Sequence, residues 1–336
     1  AYEMAGNMSN TVLGDGIMAD LYPPTVGWVV DGLDEDESYT PSDSTIEANW
    51  DGFIDTSSNI HHYEYAVGTT AGEINVTDGW LSVDTNLFVI AELDLIEEQS
   101  YFVSVRALDS ALNISAVVTT DGIITDFTAP LGNMVNDGQE ADIDRQNYAD
   151  HYVANWDAFV ETGSGLFTYE YALYNNDLNE YVTDWISTGE TSVDIRGLEL
   201  TENETYSLHV IGIDNVHNES EILMSNGCMV DLSAPAVPAN YVGWFSQERI
   251  YLEWSPNQEI DVDYYSIYGG TEPNPTTLLL TTQDTTAEAF MTGFSDTTLY
   301  YLCMTATDIP GNESNHTEQI TGIPQLAVVT RISPDP

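Results

Sequence analysis

The sequence contains very little positive charge. Of its 336 residues, 56 are aspartate or glutamate, five are arginine and none is lysine, which gives a formal net charge of −51 at pH 7. A surface this negative repels phosphate, which excludes nucleic acid as a partner and disfavours anionic membrane surfaces. Hydrophobic residues still make up 42% of the chain and aromatic residues 11%, so the composition is that of a folded protein with packed cores rather than a disordered acidic tail.

Long apolar runs and cysteine pairs are also missing. No stretch of 18 consecutive apolar residues occurs, so we expect no direct insertion into a membrane by a helix. The first ten residues lack the basic and apolar segments of a signal peptide, which predicts that any such signal lies outside this chain. The two cysteines, Cys228 and Cys303, fit no zinc spacing and cannot form a disulfide framework. They are predicted to be small buried residues.

The chain contains an internal repeat of about 105 residues, which is the signature of a tandem array. The same linker, an aspartate and then a proline four residues later, ends at Pro24, Pro130 and Pro235, which are 106 and 105 residues apart. We predict repeat 1 at residues 20–127, repeat 2 at 128–232 and repeat 3 at 233–323, with a tail or linker at 324–336. The landmarks shared by the repeats are a tryptophan (Trp50, Trp156, Trp254) and a later segment from tyrosine to aspartate (101–109, 206–214, 300–308).

The pattern within each repeat predicts short β-strands. Apolar residues alternate with other residues at Val103, Val105 and Ala107, which is the period of a strand with one buried face. Strand-like segments are separated by Gly, Asp, Asn or Pro every 8–12 residues, which is typical of an antiparallel sandwich. The proline-containing linkers favour extended junctions. The predicted fold class is therefore all-β, with three tandem sandwiches arranged end to end.

These landmarks resemble the fibronectin type III family. The segment from Trp50 to Gly68 (WDGFIDTSSNIHHYEYAVG) is similar to a pattern in tandem repeats of large bacterial surface and secreted proteins. Repeat 3 is closer to the ordinary form of the family. The resemblance implies immunoglobulin-like sandwiches in which Tyr101, Tyr206 and Tyr300 form tyrosine corners, with each hydroxyl bonded to nearby backbone. It implies little about function, because such sandwiches are both spacers and binding platforms.

The first 19 residues match the final strand of a repeat whose other strands are missing. Ala5-Gly-Asn-Met-Ser9 aligns with Ala111-Leu-Asn-Ile-Ser115, and Asp15-Gly-Ile17 aligns with Asp121-Gly-Ile123. One explanation is that the chain is a window of a longer array. The other is that residues 1–18 complete the sheet of a neighbouring subunit, as in donor-strand polymers.

Two acidic loops in corresponding places of repeats 1 and 2 are candidate calcium sites. Ca²⁺ prefers six to eight oxygen ligands, and closely spaced aspartates in a loop can supply them. The alternative is a solvated acidic loop without a bound ion, since acidic residues are abundant throughout the chain. The candidate ligands are Asp31, Asp34 and Asp36 in repeat 1 and Asp137, Asp142 and Asp144 in repeat 2.

Seven asparagines lie in glycosylation sequons, and three of them also belong to a repeated Asp-x-x-x-Asn-x-Ser turn. In a secretory context such asparagines can carry glycans. For the asparagines of the turn we favour a structural role, because Asp and Asn side chains bond to the backbone of such loops. The sequon asparagines are Asn7, Asn75, Asn113, Asn203, Asn218, Asn312 and Asn315.

The sequence carries no catalytic motif. None of the six histidines forms a His-Glu-x-x-His motif or pairs with a cysteine or a serine elbow. We therefore predict that the chain is not an enzyme and requires no cofactor, with Ca²⁺ as the one candidate ion. Trp80 and Trp185 could stack on sugars, although their equivalent places in repeats 1 and 2 favour packing.

Taken together, these features predict a secreted or cell-surface segment with a structural or adhesive role in a bacterial surface protein or extracellular filament. Its expected partners are other segments of the same array, like subunits, and glycans. One alternative is a carbohydrate-binding accessory segment of a secreted polysaccharide-degrading enzyme. Another is a self-polymerising filament subunit that uses residues 1–18 as a donor strand.

The charge imbalance makes a first prediction about stability. Because counterions screen the repulsion among the acidic side chains, the melting temperature should rise from low to high NaCl concentration, or on addition of Ca²⁺. Differential scanning calorimetry of the chain in 10 mM and 500 mM NaCl tests this. An unchanged melting temperature would contradict it.

Overall fold

The computed structural model describes residues 14–84, 87–283 and 288–325, and within these ranges the regular structure consists of 26 β-strands without an α-helix. No helix of the described residues is long and apolar enough to cross a membrane. The predicted all-β class is confirmed. By its contacts the chain divides into two units, one of residues up to 132 with 159–168 and 211–221, the other of residues 133–158, 169–210 and 222 onward.

Repeat 1 forms two sheets that face a shared apolar core. The first has three strands in the order β1-β3-β6, namely β1 (Trp28–Asp31), β3 (Thr45–Asp51) and β6 (Phe88–Glu92). The second has the order β2-β9-β7-β4-β5, with β8 also pairing with β7. Its strands are β2 (Tyr39–Thr40), β4 (Ile60–Gly68), β5 (Leu81–Val83), β7 (Ser100–Asp109), β8 (Val118–Thr119) and β9 (Ile123–Thr125).

Repeat 2 has the same arrangement of strands. Its first sheet has the order β10-β12-β16, formed by β10 (Val135–Asp137), β12 (His151–Trp156) and β16 (Ser192–Arg196). Its second sheet has the order β11-β19-β17-β13-β14, and β15 and β18 join it beside β13 and β17. These strands are β11 (Arg145–Gln146), β13 (Leu166–Asn175), β14 (Glu180–Tyr181), β15 (Ile186–Thr188), β17 (Thr205–Asp214), β18 (Leu223–Met224) and β19 (Cys228–Val230).

Repeat 3 is a simpler version of this sandwich. One sheet, β20-β21-β24, consists of β20 (Ala239–Ser246), β21 (Arg249–Ser255) and β24 (Glu288–Thr292). The other, β23-β22-β25-β26, consists of β22 (Val262–Gly270), β23 (Leu278–Thr282), β25 (Tyr300–Asp308) and β26 (Ile320–Gly322). Strand pairs are antiparallel as expected, except that the two-residue strands β2 and β11 run parallel to β9 and β19.

Each core is built around the tryptophan that marks its repeat. Trp50 is almost fully buried and makes an edge-to-face contact with Tyr63, with ring centroids 5.8 Å apart. The same pair recurs as Trp156 with Tyr169 at 5.6 Å and as Trp254 with Tyr265 at 5.2 Å. Edge-to-face aromatic pairs contribute about 0.5–1.5 kcal/mol beyond the area that they bury. The tryptophans therefore hold the two sheets of each sandwich together. Both cysteines are buried and unbonded to each other, as predicted.

The tyrosine corners implied by the family resemblance are present in all three repeats. The hydroxyl of Tyr101 accepts a hydrogen bond from the backbone N–H of Ile96, at 3.0 Å. Tyr206 and Tyr300 make the same contact with the residue five positions upstream, at 2.9 and 3.1 Å. Each bond fixes the bend that precedes a long central strand.

The ends of the chain carry predictions that the structure covers only in part. Of the segment predicted to be an orphan or donor strand (1–19), residues 1–13 lie outside the described residues. Residues 14–19 have no strand assigned and are largely exposed. Asn7 and most of the predicted tail (326–336) also lie outside the described residues. The repeat boundaries and the donor-strand role therefore stay predictions.

Replacing Tyr101 by phenylalanine tests the contribution of the corner. The variant keeps the buried ring but leaves the Ile96 N–H without its acceptor, which should lower the free energy of unfolding by about 1–2 kcal/mol. Chemical denaturation followed by circular dichroism measures this. Tyr22→Phe is the matched control, because Tyr22 is exposed. Equal stability of the two variants would contradict the role of the corner.

Candidate metal centre

The acidic loop of repeat 1 begins with a fully buried carboxylate. Asp31 is the last residue of β1 and pairs with Ala48 of β3, which places its side chain on the inner side of the sheet. Its Oδ2 accepts a hydrogen bond from the backbone N–H of Gly122 at 3.0 Å. Its Oδ1 is buried and has no hydrogen-bond partner. A buried carboxylate oxygen without a donor is costly unless it holds a proton or contacts a cation.

Two further carboxylates lie beside Asp31. One oxygen each of Asp31, Asp36 and Asp121 lie within 4.8 Å of one another, so that one ion could contact all three. Asp36 also accepts the backbone N–H of Asp31, at 3.2 Å. Burial, together with the neighbouring charges of Asp36 and Asp121, raises the pKa of Asp31 to about 7, although hydrogen bonds from the Thr120 side chain and the Gly122 backbone lower it in part. Carboxylate oxygens are the kind of ligand that a hard cation such as Ca²⁺ prefers.

In the corresponding loop of repeat 2, hydrogen bonds compensate the burial of the equivalent carboxylate. Asp137, at the end of β10, is fully buried like Asp31. Its Oδ1 is hydrogen-bonded to the hydroxyl of Tyr152, and its Oδ2 accepts the backbone N–H of Gly227 at 2.9 Å. Asn226 donates from Nδ2 to Asp142 at 3.0 Å. Both oxygens of Asp137 therefore have hydrogen-bond partners.

Two substitutions between the repeats account for this difference. The position of Tyr152, four residues before the core tryptophan, is Ile46 in repeat 1, and an alkyl group cannot donate a hydrogen bond. The position of Asn226, directly before a glycine, is Asp121 in repeat 1. Repeat 1 thus replaces two hydrogen-bond donors with an apolar side chain and a third carboxylate. This is the composition expected of a cation site.

The described residues of repeat 3 contain no counterpart of this centre. Gly243 of β20, which pairs with Leu252, stands where Asp31 and Asp137 stand in the other repeats. A Cβ atom at Gly243 would come within 2.5 Å of the Ile320 side chain, so an apolar side chain fills the space.

The structure brings together some of the predicted ligands and leaves others apart. Asp31 and Asp36 share one cluster, but Asp34 is exposed and not part of it. Asp142 lies beside Asp137, whereas Asp144 is exposed and accepts the Met229 N–H through its backbone carbonyl. The sequence reasoning missed Asp121. The signal for Asp121 is the Asp-Gly-Ile motif, which occurs at residues 15–17 and again at 121–123.

The Asp-x-x-x-Asn turns have the predicted structural role and a second one that was not foreseen. In each turn the first aspartate accepts backbone N–H groups, and the asparagine side chain donates to that aspartate. The same asparagine amide also reaches the carbonyl oxygen of the linker aspartate that precedes its own repeat. These bonds are Asn113 to Asp20 at 3.2 Å, Asn218 to Asp126 at 2.9 Å and Asn312 to Asp231 at 2.8 Å.

These contacts bear on the sequons, because glycans attach to the same Nδ2 atom that makes the bonds. A glycan on any asparagine of the turns would replace one of the two amide hydrogens, so either the bond to the linker or the bond to the turn aspartate would be lost. Asn75 is engaged as well, since its amide donates to the Thr69 hydroxyl at 3.1 Å. Asn203 has a left-handed backbone with φ of 65°, and Asn315 accepts a bond from Ser314 through its carbonyl oxygen.

The two candidate sugar-binding tryptophans have different surroundings. The guanidinium of Arg106 lies over the ring of Trp80, 4.2 Å from its centroid, and Glu64 holds the guanidinium at 2.6 Å. One face of Trp80 is therefore covered. Trp185 packs against Tyr181 at 5.6 Å, in a group of aromatic side chains that includes His209.

Comparisons with known proteins add little beyond the fold. No protein-family model and no curated protein matches the sequence. Among solved structures, the chain is similar to the FN1–FN3 domains of chicken CNTN1, with 14% identity and a TM-score of 0.41. The match covers 90% of this chain and 98% of that chain. The assignment of the fold therefore rests on the sheets of the chain itself.

The raised pKa of Asp31 makes a prediction about pH in the absence of divalent cations. Folded Asp31 keeps its proton up to about pH 7, whereas the unfolded residue loses it near 3.8. The folded state binds the extra proton in this window, so the free energy of unfolding should fall as pH rises from about 4 to 7. Asp31→Asn carries no such charge. Calorimetry in EDTA should show that the free energy of unfolding of the wild type falls by about 2 kcal/mol between pH 5 and 7, relative to that of this variant.

A parallel response of the two proteins to pH would contradict this account of Asp31. Asp36 and Asp121 are present in both proteins, so the comparison isolates the Asp31 carboxyl group.

Proposed function

We propose that this chain is a non-enzymatic structural or adhesive segment of a bacterial surface protein or extracellular filament. The observation that carries the proposal is the repeated contact between linker and sandwich. Three sandwiches of one design are each bonded to their preceding linker by the same asparagine amide. Such contacts limit the freedom of a linker, which a spacer requires and an independent catalytic domain does not. The abundance of acidic side chains suits a segment that must resist non-specific association.

We further propose that repeat 1 binds one Ca²⁺ ion through Asp31, Asp36 and Asp121. The support is the unpartnered, buried Oδ1 of Asp31 and the replacement of two hydrogen-bond donors of repeat 2. An ion at this position would stabilise the ionised form of Asp31 and fix the acidic loop against the turn that carries Asp121. Its role would be structural, since the three ligands belong to one sandwich.

The carbohydrate-binding alternative has weaker support. Stacking on a sugar needs an open aromatic face, and Arg106 already occupies one face of Trp80. The aromatic group around Trp185 is internally packed, with Tyr181 bonded to His209 at 3.2 Å. These contacts favour packing as the role of both tryptophans.

Negative-stain microscopy with and without residues 1–18 distinguishes the proposed segment from a donor-strand polymer. We expect separate particles of similar size in both samples, because each described repeat contains both of its own sheets. Filaments that disappear on truncation would overturn this expectation and favour strand exchange between subunits.

A further inference from the structure

A second kind of carboxylate cluster lies where each linker meets its repeat. It consists of the linker aspartate, an acidic residue of the loop that follows the core tryptophan, and the first aspartate of the Asp-x-x-x-Asn turn. We call these groups linker clusters 1, 2 and 3. Cluster 1 is Asp20, Asp55 and Asp109; cluster 2 is Asp126, Glu161 and Asp214; cluster 3 is Asp231, Asp261 and Asp308.

Linker cluster 1 has the geometry of a cation site. One oxygen each of Asp20, Asp55 and Asp109 lie within 4.8 Å of one another. Asp109 is fully buried, and Oδ2 of Asp20 is buried without a hydrogen-bond partner. Asp55 accepts three backbone N–H groups through Oδ1, at 2.6–3.0 Å, which holds its carboxylate in place.

Linker cluster 2 contains a fully buried carboxylate with an unpartnered oxygen. Asp126 has no exposed surface; its Oδ2 accepts the Ser164 N–H at 2.6 Å, and its Oδ1 has no partner. Asn218 joins Asp126 to Asp214, because its amide donates to the Asp126 carbonyl at 2.9 Å and to Asp214 Oδ2 at 2.7 Å. Glu161 lies in the same loop as Ser164 and accepts the Gly163 N–H through Oε1 at 2.6 Å. Of the described linker clusters, only cluster 1 has one oxygen of each member within 4.8 Å of the others, so an ion at cluster 2 would draw its carboxylates closer together. No described arginine forms an ion pair with them.

Linker cluster 3 contains a cation supplied by the chain itself. The guanidinium of Arg145 contacts Asp231 at 3.0 Å and Asp261 at 3.3 Å. Asn312 joins the third member, because its amide donates to the Asp231 carbonyl at 2.8 Å and to Asp308 Oδ2 at 3.0 Å. The protein therefore places a positive charge between a linker aspartate and the loop acid at this point of the repeat.

One residue explains why cluster 2 lacks this built-in cation. Arg145 is the first residue of β11, which runs parallel to β19. The first residue of the matching strand β2 is Tyr39, which runs parallel to β9 in the same way. A phenol carries no positive charge, so the residue at this strand position supplies no built-in cation to cluster 2.

We propose that linker clusters 1 and 2 each bind a divalent cation, for which Ca²⁺ is the probe. At cluster 3 the guanidinium of Arg145 replaces the metal ion. The bound ions would neutralise buried carboxylates and connect each linker to the loop and the turn of its repeat. These sites are separate from the Asp31 centre, and their existence does not depend on it.

Calorimetric titration of the full chain with CaCl₂ in 150 mM NaCl tests the proposal. Glu161→Gln keeps an acceptor for the backbone N–H groups of its loop but removes the charge of cluster 2, and should bind one Ca²⁺ fewer per chain. Asp55→Asn should lose one ion from cluster 1 for the same reason. The matched controls, Glu190→Gln and Asp94→Asn, remove one exposed charge each and should keep the wild-type number.

Tyr39→Arg provides a gain-of-function test. The introduced guanidinium should replace the ion of cluster 2, so the variant should bind one Ca²⁺ fewer and lose no further ion when combined with Glu161→Gln. Its melting temperature in EDTA should exceed that of the wild type. If Tyr39→Arg fails to fold, as judged by circular dichroism, the comparison of Glu161→Gln with Glu190→Gln decides the question for cluster 2.

The proposal is overturned if Glu161→Gln and Asp55→Asn bind the same number of ions as their controls. It is also overturned if folded Tyr39→Arg keeps the wild-type number. The variant Asp121→Asn distinguishes ion binding at the linker clusters from ion binding at the Asp31 centre, because Asp121 is a ligand of the Asp31 centre only. Loss of an ion in Asp121→Asn alone would support the Asp31 centre and refute the linker sites.

Discussion

The structure depends on how an acidic chain compensates the carboxylates that it buries. With 56 acidic residues and five arginines, ion pairing can serve few of them, and a buried charge without a partner is strongly unfavourable. The repeats compensate their buried carboxylates in different ways. Asp137 is bonded to a tyrosine hydroxyl and a backbone amide, whereas Asp231 is paired with Arg145. Asp31 and Asp126 are also buried, but each has one oxygen without a hydrogen-bond partner. Because the sandwiches share one design, each repeat serves as a control for the others.

The asparagine turns show how a sequence repeat becomes a repeated contact. The residue before each asparagine has a positive φ, of 67° at Leu112 and His217 and 97° at Gly311. This left-handed residue reverses the chain so that the asparagine amide points back towards the linker. Only repeat 3 uses glycine, which adopts this conformation without steric cost. The other two repeats keep side chains there, so the contact with the linker is maintained at the cost of some backbone strain.

Much of the fold could be predicted from the sequence, because its signals are local and repeated. The alternation around Val103 indicated a strand with one buried face, and the position of Tyr101 indicated a tyrosine corner. The candidate sites were harder to predict, since they join residues far apart in the sequence. Asp121 lies 90 positions beyond Asp31, and the contact of Asn113 with the linker also spans a whole repeat. Only the three-dimensional arrangement shows which of many acidic residues share a site.

The bond between asparagine and linker also has a mechanical consequence. The Asp20 carbonyl and the Asn113 amide lie at opposite ends of repeat 1 in the sequence, yet one hydrogen bond joins them. A pulling force applied through the linker would load this bond before it reached β1. The force would then pass into the turn at the end of β7, which lies inside the second sheet and pairs with several strands. Asn218 and Asn312 make the same connection. In a stretched array, each repeat would therefore carry the tension through an equivalent hydrogen bond.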